Sequence, residues 1–128
     1  HKAIRRQRQM CIRDSIYENA VAQELYAHGF ELYYFNSKKQ GELDFVIEYE
    51  GYPLPIEVKS GKNYMRHPAL NNVMQNKSYE IKQAIVLCNE NIEMKDQIFY
   101  CPIYLAGLLK KRTIPEDYIY SPDFSILQ

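Results

Sequence analysis

The sequence predicts an α/β fold, a mixed central sheet flanked by helices. Three observations predict it. Segments with helical and strand periods alternate, in the order helix, three strands, helix, strand, strand, helix. The run Gln83-Ala84-Ile85-Val86-Leu87-Cys88 is apolar at every position after the first, which suits a strand buried on both faces and therefore helices on both sides of the sheet. Two alternating segments, Leu43–Tyr49 and Leu54–Lys59, flank the turn Glu50-Gly51-Tyr52-Pro53 and read as a hairpin. A chain of 128 residues, 46% hydrophobic and 25% charged, is the size and composition of one globular domain.

Residues 1–14 stand apart. Lys2, Arg5, Arg6, Arg8 and Arg13 against Asp14 give this stretch a charge of +4, and because the whole chain sums to zero, residues 15–128 carry −4. The stretch has no apolar periodicity. Its alternatives are a basic arm for nucleic acid or a disordered terminus. Arg6–Ser15 also resembles translated sequencing-adapter read-through, so residues 1–14 are read as a non-native or disordered leader and given no function.

Residues 16–28 predict a helix, with Tyr17, Val21, Leu25 and His28 on one face and Gly29 as its stop. The aromatic-rich 30–35 predicts a strand, and 36–41, with Lys38 and Lys39, a polar loop. After the hairpin, Pro68 opens a short helix through about Ser78. Residues 83–88 and 97–100 predict strands, 102–110 a short helix, and 111–128 a tail without clear period. The domain is thus expected over 15–110.

Several functions are excluded. No run of about 18 apolar residues exists to span a membrane, and no apolar segment of signal-peptide type follows the basic start. Cys11, Cys88 and Cys101 are odd in number and, like His1, His28 and His67, lack metal-ligand spacing. Cys88 reads as a buried thiol, and a reducing, cytoplasmic setting is expected. No Gly-x-x-x-x-Gly-Lys-Ser/Thr loop is present for ATP.

The chemistry concentrates in the hairpin. Glu57 and Lys59 share a strand face. A turn centred on Gly51 and Tyr52 sets Val46 opposite Glu57 and Asp44 opposite Lys59, with Asp44 diagonal to Glu57. Two carboxylates so close repel each other, and a divalent cation offsets this; hard oxygen ligands suit Mg²⁺ or Mn²⁺. A lysine beside them can orient a metal-bound water, which is the chemistry of phosphodiester hydrolysis. The bland alternative is a solvated, salt-bridged sheet face. Glu18, in the first turn of the predicted helix, either favours the helix dipole or supplies a further ligand.

Helix Glu18, then Asp44 on one strand, then Glu57-Val58-Lys59 on the next, resembles the PD-(D/E)XK nuclease superfamily. More narrowly, Tyr17-Glu18-Asn19, Glu42-Leu43-Asp44-Phe45-Val46-Ile47, Pro55-Ile56-Glu57-Val58-Lys59-Ser60-Gly61 and Cys101-Pro102-Ile103-Tyr104 resemble the C-terminal domain of unknown function that follows a P-loop ATPase domain in many prokaryotic proteins. The resemblance implies a restriction-endonuclease-like α/β/α sandwich. It implies Asp44, Glu57 and Glu18 as metal ligands for Mg²⁺ or Mn²⁺, Lys59 beside the attacking water, and DNA as partner. It also implies that the chain is part of a larger ATPase-linked protein. Leu43 stands where the superfamily name has Pro. Gln75-x-x-x-Tyr79 matches a pattern of one nuclease branch. The alternative function is an inactive interaction or regulatory module of the attached ATPase, for which the −4 charge of residues 15–128 speaks.

Overall fold

The computed structural model describes the backbone of residues 2–110 and the side chains of residues 15–110; the predicted tail, 111–128, lies outside the described residues. Helix α1 spans Lys2–Ala27 and so begins well before the expected residue 16. Nothing between Lys2 and Ala27 is Gly or Pro, and Arg, Gln, Met, Lys and Ala all favour helix, so the change of composition at Ser15 does not interrupt the backbone. The helix ends as predicted. Gly29 takes φ 86°, its N–H donates to the Tyr26 carbonyl, and the Phe30 N–H reaches back to the Leu25 carbonyl. Phe30 and Leu25 are both buried at this cap.

Strands β1 (Tyr33–Ser37), β2 (Gly41–Tyr49) and β3 (Tyr52–Lys59) form an antiparallel meander. Helix α2 (Pro68–Gln75) crosses over to β4 (Ala84–Cys88), which lies parallel to β3. Strand β5 (Glu93–Lys95) forms a hairpin with β6 (Ile98–Pro102), and β6 inserts parallel to β4, leaving β5 at the edge. The sheet is six-stranded and mixed, in the order β1-β2-β3-β4-β6-β5. Strand β5 escapes the sequence reading because its three residues are all exposed and carry no period.

Helix α2 stops three residues short of Ser78. The Asn76 side chain accepts a hydrogen bond from the Ser78 N–H at 3.0 Å, competing with the helical pattern and starting a 3₁₀ turn over Lys77–Tyr79. The last predicted helix is 3₁₀, Ile103–Leu108.

Two cores sandwich the sheet. On one side Val21 and Leu25 of α1, with Ala106, meet Phe45, Ile47, Ile56, Val58, Ile85 and Leu87. On the other, Leu70 and Val73 of α2 meet Leu43, Val86, Cys88 and Tyr100. All five residues of β4 are buried, as its continuous apolar run predicts. The protein is an α/β sandwich.

Helix α2 sits close upon the start of β2. Gly41 has φ +102°, and a Cβ there would lie 2.8 Å from the Ala69 Cβ. Gly41→Ala is therefore expected to destabilise the fold by about 1–3 kcal/mol, from the left-handed backbone alone. A urea unfolding midpoint unchanged from wild type refutes this.

Candidate active site

The site is built by two irregularities in β2 and β3. The first is the turn between them. Glu50 and Gly51 both have positive φ, 53° and 86°, as a two-residue type I′ turn requires. Tyr49 thus pairs with Tyr52, Val46 with Pro55 and Phe45 with Ile56. This corrects the expected register: the turn is one residue earlier, because Gly51 takes the second turn position and bulky Tyr52 does not need a positive φ. Carried one step further, the pairing sets Asp44 level with Glu57 rather than with Lys59. The slip is two residues, so the faces are kept.

The second irregularity is a bulge. Between Tyr33↔Val46 and Phe35↔Leu43, β2 advances three residues while β1 advances two. In consequence Leu43 packs on the α2 side and Phe45 on the α1 side, although they are two apart. Asp44 lies within this bulge, where the strand is bent and the side chain re-aimed.

Past Phe45 and Ile56 the β2–β3 ladder gives way to the carboxylates. The Asp44 N–H donates to Glu57 Oε1 at 3.2 Å, and the Val58 N–H donates to Asp44 Oδ2 at 2.8 Å. Each acid accepts from the opposite strand, which fixes both side chains across the hairpin. Glu57 is 5% exposed. Burial, and then the Asp44 charge, push its carboxyl up to about 7; the Glu18 charge adds to this, while the Asp44 N–H and the Lys59 ammonium oppose it. The four residues singled out in the sequence therefore share one electrostatic neighbourhood. Asp44 and Glu57 touch, Lys59 lies half-buried two residues on, and half-buried Glu18 acts from α1.

Among the described residues no three His, Cys, Asp or Glu side chains gather closely enough to hold a metal ion by themselves. The acids are a pair, with Glu18 at electrostatic range. A pair still suits Mg²⁺, which binds through one or two carboxylates and keeps several waters. A buried carboxyl pushed up to about 7 beside a half-buried second acid is the kind of setting that a divalent cation relieves.

Sequence reasoning missed His67. It is 4% exposed at the N-terminus of α2, with Nε2 at 2.7 Å from Tyr100 Oη. Burial lowers its pKa, and the Lys59 charge adds to this. The only signal available was a histidine just before Pro68. Of the cations considered for a phosphate, Lys62 and Arg66 line a cleft with His67, whereas Lys38, Lys39 and Lys77 are exposed on turns. Gln75 is exposed, and Tyr79 packs edge-on against Phe35 at 5.6 Å. Cys88 and Cys101 are buried free thiols. Among the described residues no helix is long and apolar enough to cross a membrane.

No curated protein and no solved structure matches the chain. Residues 13–106 match the family described as domain of unknown function DUF4143, and the match covers the whole of the hairpin, α2 and β4–β6. Spanning well over half of its length, that match shows that the chain belongs to the DUF4143 family.

Proposed function

We propose that this domain is a metal-dependent phosphodiesterase of the PD-(D/E)XK kind, cleaving the DNA backbone within a larger ATPase-linked protein. The observation that carries the reading is the interlocked Asp44–Glu57 pair with Lys59 beside it. A salt-bridged sheet face offers no reason to bury one acid against another; a cation site does.

Asp44 and Glu57 would hold Mg²⁺ or Mn²⁺, with water completing the shell. The bound ion would supply Lewis-acid stabilisation of charge on the phosphate and a more acidic water. The chain's own residues do the rest. The Asp44 and Val58 amides orient the two carboxylates, so little reorganisation is left for the reaction. Lys59 presents its ammonium on the strand that carries Glu57, where it can orient the attacking water and balance charge building on the phosphate oxygens. Glu18, acting from α1, adds negative charge that strengthens cation binding and can hold a water of the shell.

Nicking of supercoiled plasmid by the 128-residue chain tests this. Open circles are expected in Mg²⁺ or Mn²⁺, none in EDTA, and none with Asp44→Asn. A wild-type chain that neither nicks nor gains thermal stability from metal leaves the interaction or regulatory module as the better reading, in keeping with the −4 charge of residues 15–128.

A further inference from the structure

Strand β5 ends the sheet, and among the described residues no strand pairs with its far side. Its turn to β6 has two residues, Asp96 and Gln97, with φ 51° and 67°, the type I′ geometry. Such a turn closes with a hydrogen bond between its flanking residues, here Lys95 and Ile98. Pair types alternate along an antiparallel ladder, so Met94 and Phe99 form a pair without hydrogen bonds. The Met94 N–H and C=O therefore point away from β6, out of the sheet edge. Met94 is 58% exposed, and Ile92, two residues before it, is 61% exposed.

The charges on this edge are self-complementary. Glu93 and Lys95 stand one on each side of Met94, and both are exposed. Neither forms an ion pair with another side chain among the described residues. A short, charged edge usually guards against pairing with another chain, because like charges meet. That guard holds here against a parallel copy, which in register sets Glu93 on Glu93 and Lys95 on Lys95. It fails against an antiparallel copy centred on Met94, which sets Glu93 opposite Lys95 twice over. In that register the outward N–H and C=O of the two Met94 residues meet, and each Met94 side chain lies diagonal to Ile92 across the pair.

We infer that the β5 edge is a self-association surface, and that its occupant is a second copy of this chain in antiparallel register about Met94. The contact is two-fold: Glu93 faces the partner's Lys95, and Lys95 faces the partner's Glu93. The two sheets continue as one across it. Strands β4 and β6 separate β5 from β3, so the contact leaves the Asp44–Glu57 pair uncovered, and it does not depend on the nuclease reading. Three residues make a small contact, so association is weak and depends on concentration.

Sedimentation velocity of the 128-residue chain in low salt, from micromolar concentrations to about 1 mM, tests this. The sedimentation coefficient of wild type is expected to rise with concentration. Glu93→Lys and Lys95→Glu, each alone, should weaken association by roughly tenfold or more, since attraction becomes repulsion at both pairs. Mixed in equal amounts, the two single variants should associate again, because each brings the charge that the other lacks. That recovery also shows that both are folded. The double variant, Glu93→Lys with Lys95→Glu, should recover in the same way. Met94→Pro should abolish association and keep the hairpin, because β6 does not use the N–H that it removes. Wild type that sediments as a monomer up to about 1 mM overturns the inference. Association that the single variants do not weaken, or a mixture that associates no better than its parts, overturns it as well.

Discussion

Glu57→Gln is expected to stabilise the metal-free protein at pH 8 by on the order of 3 kcal/mol, from a carboxyl raised from 4.5 to about 7. Below pH about 4.5 the folded and unfolded chains both hold the Glu57 proton. Between there and about 7 only the folded chain holds it, so each rise in pH favours unfolding. Above 7 the folded chain carries a buried carboxylate beside Asp44, and the full penalty is present. Wild-type stability in EDTA should therefore fall from pH 5 to pH 8 more than that of the glutamine variant. Gln keeps an oxygen for the Asp44 N–H, so the bond at Oε1 survives. His67 titrates with the opposite sign, because its pKa is lowered, but it is common to both proteins and cancels in the difference. Mg²⁺ should restore wild type at pH 8 and do little for the variant. Urea unfolding at the two pH values, with and without Mg²⁺, checks both halves. A variant less stable than wild type at pH 8 shows that Glu57 is held by its hydrogen bond rather than strained by its neighbours.

The elements that the sequence discloses are those whose burial or backbone need is written in the residue types themselves. The apolar run 84–88 announces a doubly buried strand, and Gly29 announces the end of α1, because in both the side-chain pattern and the backbone need agree. What it hides are features set by backbone geometry. The Glu50–Gly51 turn moves the register by two, since a positive φ at Glu50 leaves no mark in an apolar pattern. The bulge at Asp44 is equally silent, yet it is why Leu43 and Phe45 face opposite cores. The carboxylate pair is legible only as an approximate diagonal; that Glu57 takes the Asp44 amide and Asp44 takes the Val58 amide depends on where the β2–β3 ladder ends, which leaves no mark in the residue pattern. His67 was illegible because its partner, Tyr100, is 33 residues away.

Lys59→Ala is expected to lower metal-dependent nicking by roughly 10²–10³-fold, the usual loss when one preorganised group is removed from a developing charge. Lys59 ends β3 opposite Cys88 on β4, the strand that holds its backbone from that side. Its ammonium opposes the rise of the Glu57 carboxyl. Removing it should push that carboxyl higher still and carry the loss of metal-free stability to a higher pH. A lysine that only balances charge would show this second effect alone, with nicking at pH 8 in saturating Mg²⁺ close to wild type. A lysine at the attacking water shows both. Lys59→Arg separates them further: it restores the charge on Glu57 and hence the stability profile, but its planar, permanently protonated fork cannot reproduce a compact ammonium at the water. Low nicking by the arginine variant, with a wild-type stability profile, assigns Lys59 to the chemistry; full nicking by the alanine variant removes it.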